Sequence, residues 1–171
     1  SKFINAGQTC VAPDYVLVDR SVYQTFLQAL CAQAEALYPQ ALSNRSYSSI
    51  INQRHFERLT HWVEAALGAG AKLHHPSTAA AGYTTHTQNG HTAYRMAPMV
   101  LSEVPTHSKL MQEEIFGPVL CLLPWENEAD LIAQANDNDY GLACGIWSQN
   151  FQTAMRLGKA ITAGTVCAVA P

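Results

Sequence analysis

Cys10 lies in the run Asn5-Ala6-Gly7-Gln8-Thr9-Cys10-Val11-Ala12-Pro13, between a glycine-containing polar turn and a small-residue stretch ended by proline. Gly7 allows a positive φ or a close backbone approach, and Ala6 and Ala12 leave room around the thiol. A thiol so placed can attack an electrophilic carbonyl once its pKa is lowered and a donor awaits the developing oxyanion. The plainer reading is a small buried hydrophobe, the commoner fate of a free cysteine. Further along, Met111-Gln112-Glu113-Glu114-Ile115-Phe116-Gly117-Pro118-Val119 offers paired carboxylates, an aromatic face and a Gly-Pro turn that would aim them.

The elements that must position these groups follow from periodicity. Residues 11–19 read as a buried strand leaving the cysteine turn. Ser21-Val22-Tyr23-Gln24 has the capping-box pattern, and Val22, Phe26, Leu27, Leu30, Ala34 and Leu37 form one apolar helix face, ended by Pro39. A second helix is expected from about 52 to 68, with Phe56, Leu59, Val63 and Ala66 inward and Gly68 and Gly70 closing it. Residues 71–74 suit a short strand. The stretch 76–94 is the least core-like, and Asn89-Gly90 between Thr/Tyr/His alternations predicts a projecting β-hairpin near 83–95. Met99-Val100-Leu101 suits a strand, and residues 103–112 a loop with one helical turn.

Val119 to Leu123 is a continuous apolar run, as expected of a strand buried on both faces. A helix over 127–137 with Ala129, Ile132 and Ala135 inward, a strand over 142–147, a helix capped by Asn150 with Phe151, Ala154, Met155 and Gly158 on one face, and a last strand over 165–169 complete the pattern. Strand alternating with helix predicts an α/β fold: a three-layer, mostly parallel twisted sheet with helices on both faces. Ligands of such sheets gather at the carboxyl ends of the strands.

Composition bounds the rest. The 171 residues suit one domain, 48% of them are hydrophobic, and only 13% are charged, about half the usual ~25%. Disorder is excluded, and the low charge predicts exposed apolar patches. The net charge of −3 with no basic cluster argues against nucleic-acid binding. No apolar run approaches the ~20 residues that span a bilayer. The five cysteines, an odd number with no C-x-x-C, indicate neither a disulfide framework nor structural zinc. Cys31, Cys121, Cys144 and Cys167 read as core thiols, which points to a reducing compartment such as the cytoplasm. The seven histidines (His55, His61, His74, His75, His86, His91 and His107) form no zinc pattern with them, so no metal is expected.

Asn5-x-Gly7-Gln8-x-Cys10 resembles the cysteine motif of the aldehyde dehydrogenase superfamily. Glu113 to Val119 resembles a second signature of that family, Asn136-Asp137-x-Asp139-Tyr140-Gly141-Leu142-Ala143 a third, and Ala163-Gly164-Thr165-Val166 a fourth. The resemblance implies that residues 1–171 are a thiol-bearing catalytic domain whose nucleotide-binding domain and C-terminal oligomerisation tail lie elsewhere. It implies oxidation of an aldehyde to a carboxylic acid with NAD or NADP, through a thiohemiacetal and a thioester on Cys10. Glu114 would hold the nicotinamide ribose, Phe116 would contact the nicotinamide end, and Thr9 and Val11 would line the substrate pocket. Asn5, Gly7 and Gln8 would brace the cysteine turn, while the general base and the oxyanion asparagine would lie outside this chain. A homodimer or homotetramer is implied for the parent protein, and the isolated chain should be inactive. Cys10 to Tyr15 resembles one branch of the family and Asn136 to Ala143 another, and Cys167 stands where many relatives carry an aromatic residue. A cysteine-dependent hydrolase or acyltransferase, and a non-catalytic interaction module, are the competing readings.

Overall fold

The computed structural model describes residues 1–75 and 82–169. Residues 76–81, part of the stretch read above as least core-like, lie outside the described residues. The chain forms two compact units, residues 1–124 and residues 125–171.

In the first unit, a four-stranded sheet runs in the order β1 (Tyr15–Asp19), β6 (Val119–Trp125), β5 (Met99–Ser102), β2 (Lys72–His74). Strands β5 and β6 are parallel, with Met99 opposite Val119, whereas β2 runs antiparallel to β5. Alternation along the strands feeds two cores. Met99, Leu101, Val119, Cys121 and Leu123 pack with Leu59, Val63 and Ala66 of helix α2 (Gln53–Gly68). Val18, Val100, Leu120 and Leu122 pack on the other face with Tyr23, Leu27 and Ala34 of α1 (Tyr23–Leu37). Helix, sheet and helix therefore make the three expected layers, and β6 is buried on both faces as its unbroken apolar run requires.

Local details depart from expectation. The capping box does not form: Val22 caps α1 without a side-chain bond, and Ser21 gives its N–H and hydroxyl to Asp19 at 2.8 and 2.6 Å. The inward face of α1 is rotated accordingly. Val22, Phe26 and Leu37 are exposed, and Tyr23 turns inward, donating its hydroxyl to the Leu122 carbonyl at 2.9 Å. The strand expected from residue 11 begins at Tyr15, because Thr9–Ala12 closes a turn first. Helix α2 matches its expected span and is capped by the Asn52 side chain. The hairpin is present as β3 (Tyr83–Gln88) and β4 (His91–Met96). Both turn residues, Asn89 (φ 52°) and Gly90 (φ 77°), adopt the left-handed conformation that a two-residue hairpin turn demands.

The second unit contains α4 (Glu128–Ala135), β7 (Ala143–Trp147), α5 (Phe151–Ala160) and β8 (Thr165–Val169), with β7 and β8 parallel. Leu131, not Ala129, is the buried residue of α4, and Ala154 and Leu157 are those of α5, leaving Phe151 and Met155 exposed. Asn150 caps α5 as read, accepting from the Thr153 N–H at 3.1 Å. The Asn136 side chain fastens the loop after α4 to the end of α5, donating to Ala160 O at 3.0 Å and accepting from Thr162 N at 2.8 Å. Gly141 approaches the chain so closely there that a Cβ would lie 3.0 Å from the Thr162 carbonyl oxygen.

Candidate active site

The thiol turn is built from backbone that ordinary residues avoid. Asn5 (φ 52°), Ala6 (φ 52°) and Gly7 (φ 72°) are consecutively left-handed. For Ala6 this costs about 1–2 kcal/mol, while Asn5 and Gly7 tolerate it better. Side chains hold the turn: Asn5 donates to Gln8 O at 3.1 Å and Gln8 donates back to Asn5 O at 3.1 Å. Gln8 also reaches across the sequence, donating to Ser49 O at 3.0 Å and accepting from Ile51 N at 2.9 Å. The bracing expected of Asn5 and Gln8 is thus present, extended to the segment that leads into α2. Next comes the tight turn Thr9–Ala12, closed by Ala12 N donating to Thr9 O at 3.0 Å, with Cys10 and Val11 at its apex, both exposed. Cys10 is therefore not a core thiol.

The other cysteines sort differently. Cys121 is fully buried, and burial pushes its thiol up to about 12. Cys31 and Cys144 are half-buried, with their pKa raised by the same cause. Cys167, expected in the core, is exposed, because β8 has packed residues on one side only.

Glu114 and Phe116 are carried by the loop between α3 (Lys109–Gln112) and β6. Glu113 ends α3 and pairs with Lys109 at 2.8 Å. Glu114 is exposed, Ile115 is fully buried, and Phe116 is half-buried with φ 48°. The left-handed residue of this turn is thus Phe116, where the Gly-Pro pair was expected to carry the bend. Gly117 serves space instead: a Cβ there would lie 2.6 Å from Leu59 Cδ1 of α2.

The two motifs meet. A Cβ on Gly7 would lie 2.0 Å from the Gly117 carbonyl oxygen and 2.9 Å from Pro118 N, so the turn below Cys10 is seated directly on the loop that carries Glu114 and Phe116. Three charged residues given no role in the sequence reading, Lys2, Asp14 and Arg58, bond near these motifs. Lys2, 4% exposed, pairs with Asp14 at 3.1 Å. Burial lowers its pKa against the opposing pull of Asp14, and of Cys121 and Glu114 further off. Arg58 of α2 donates to Glu114 O at 3.2 Å and to Ile115 O at 2.7 Å, and its guanidinium lies 4.3 Å from the centre of the Trp62 ring. The i, i+4 spacing of Arg58 and Trp62 was the one signal in the sequence that could have singled out this arginine. Among the described residues no group of three or more His, Cys, Asp or Glu side chains could hold a metal ion.

The chain is a member of the aldehyde dehydrogenase family, whose sequence model matches residues 1–169. It is 31% identical to a mitochondrial aldehyde dehydrogenase of Leishmania tarentolae, over 96% of this chain and 32% of that protein. It is 33% identical to the 5-carboxymethyl-2-hydroxymuconate semialdehyde dehydrogenase of Escherichia coli, over 94% and 34%. Among solved structures, lactaldehyde dehydrogenase from Escherichia coli superposes with a TM-score of 0.79 at 28% identity, covering 98% of this chain and 34% of its own. The chain thus spans about a third of the length of the relatives it matches. Among the described residues no helix is long and apolar enough to cross a membrane.

Proposed function

We propose that this chain is the thiol-bearing catalytic segment of an NAD(P)-dependent aldehyde dehydrogenase that converts an aldehyde to a carboxylic acid. The observation that carries this reading is the seating of the Cys10 turn on the Glu114 loop through Gly7 and Gly117. Cys10, at the apex of its turn, attacks the aldehyde carbon as the thiolate, forming a C–S bond while the carbonyl π electrons move to oxygen. The backbone N–H of Cys10 donates to that oxyanion. Thr9 and Val11, flanking the thiol, border the space the aldehyde enters. Glu114 suits a sugar diol: its carboxylate is exposed, and its backbone is fixed on one side by Arg58 and on the other by buried Ile115. Phe116, half-buried beside it, offers a flat apolar face for the nicotinamide end. Bound NAD(P)+ supplies the acceptor for the hydride that leaves the cysteine adduct.

The general base and the second oxyanion donor are assigned to the rest of the protein, as are most of the dinucleotide site and the surfaces that make a homodimer or homotetramer. Free thiols throughout suit a reducing compartment, which we take as the cytoplasm. A cysteine hydrolase would need an imidazole on Cys10; His74, half-buried on the edge strand β2, instead meets Ser102 Oγ at 2.8 Å. In the full-length protein that carries this chain, Cys10→Ala abolishes aldehyde-dependent NAD(P)H production, a fall of more than about a thousandfold. Unchanged production in that variant overturns the reading, as does NAD(P)H production by the purified 171-residue chain.

A further inference from the structure

We propose that Arg58 is a positioning residue for the cofactor: by holding the Glu114 and Ile115 carbonyls it sets where the Glu114 carboxylate stands. The proposal rests on the reading of Glu114 given above. Three observations support it. The loop leaves α3 after a single helical turn and bends through Phe116 in a left-handed conformation before entering β6. Arg58 grips this bend from outside the loop, with Nη1 on Glu114 O at 3.2 Å and Nη2 on Ile115 O at 2.7 Å. The guanidinium is itself held in place, with Trp62 4.3 Å away on the same helix and Leu59 filling the space beneath Gly117.

Charge adds direction. Glu114, Asp14 and Glu113 are the acids whose field Arg58 feels, Glu114 most strongly. The arginine thus attracts the side chain whose backbone it clamps. A planar fork can bridge two successive carbonyls and stack on an indole, which an ammonium group cannot do with the same geometry. Helix α2 also receives the cysteine turn at its N-terminal approach, through Gln8 on Ser49 and Ile51. One helix thereby registers both motifs, and Arg58 is its contact with the cofactor side.

The test uses the full-length protein that carries this chain and compares Arg58→Ala, Arg58→Lys, Glu114→Ala and the double variant Arg58→Ala/Glu114→Ala. The readouts are KM for NAD(P)+, kcat at saturating cofactor, and the rate of Cys10 alkylation by iodoacetamide. Arg58→Ala is expected to raise the cofactor KM about tenfold, Arg58→Lys by less, with Cys10 alkylation within about twofold of the parent. Because Arg58 acts through Glu114, the double variant should lose no more than Glu114→Ala alone. The proposal is overturned if Glu114→Ala raises KM while neither Arg58 variant does, or if the double variant shows the product of the two single losses. A silent Glu114→Ala overturns the cofactor role of Glu114 itself, and the arginine proposal falls with it. Should Arg58→Ala fail to fold, the same comparison is made with Arg58→Lys, and a KM equal to the parent's overturns it.

Discussion

Strands β6 and β8 are written in nearly the same alphabet and meet opposite fates. Every residue from Val119 to Leu123 is buried, whereas in β8 only Val166 is even half-buried and Thr165, Cys167, Ala168 and Val169 are exposed. The difference lies in the neighbours. Strand β6 runs between β1 and β5, with α1 on one face and α2 on the other. Strand β8 pairs with β7, and residues such as Ile146 and Leu157 fill one side while Trp147, 77% exposed, stands on the other. Burial therefore belongs to what covers both faces of a strand, and an apolar run states only that covering is needed.

The largest expected contrast is between two glycines. Gly7→Ala places a Cβ 2.0 Å from a main-chain oxygen at a φ of +72°, and should destabilise the first unit by about 4 kcal/mol in urea melts. Gly145→Ala in β7, where a Cβ meets only Trp147 Nε1 at 3.8 Å, should change stability by about 0.5 kcal/mol or less. Equal effects would break the comparison. Next in size, Leu122→Ala in β6 should cost about 3 kcal/mol, against about 1 kcal/mol or less for Val166→Ala in β8. Asp14→Asn should cost a similar ~3 kcal/mol, because it leaves buried Lys2 without its partner.

Acid should separate the two units. The His74 and His75 side chains sit below the ordinary value of 6.5, chiefly through burial. The unfolded chain binds protons there more readily, so the first unit loses stability as pH falls from about 6.5 through the lowered values. In the second unit, Glu128 is held below its ordinary 4.5 by its bond to Arg156, so its contribution is present above that value and lost only as pH falls through the lowered one. Segment-resolved hydrogen exchange should show the first unit loosening at higher pH, and His74→Gln should reduce that dependence. The smallest expected effect is one of rate: iodoacetamide should label Cys10 and Cys167 first, Cys31 and Cys144 more slowly, and Cys121 last. Early labelling of Cys121 would contradict the packed core around β6.

Much of this was readable in the sequence. The span of α2, the Asn89-Gly90 hairpin and the Asn150 cap each depend on local chemistry that a short segment carries by itself. The inward faces of α1, α4 and α5 match in part, with Leu27, Ala34 and Ala154 buried as expected, and are turned at their edges because periodicity locates an apolar stripe and says nothing of which edge of it meets a neighbour; Tyr23 turns in since its hydroxyl finds the Leu122 carbonyl 99 positions away. The cysteine and carboxylate motifs were visible as residue types. Their mutual seating was not, because the backbone that Gly7 approaches and the carbonyls that Arg58 bonds lie far along the chain, where local spacing does not point to them.

The contact beneath Cys10 also limits how this chain can change over time. The atom that would collide with any side chain at position 7 is a backbone oxygen, so no shortened neighbour elsewhere can make room for one. Thr9 and Val11, both exposed, are free to vary, while the contact under the turn stays fixed. Side-chain change can therefore enter this turn from beside the cysteine, never from below.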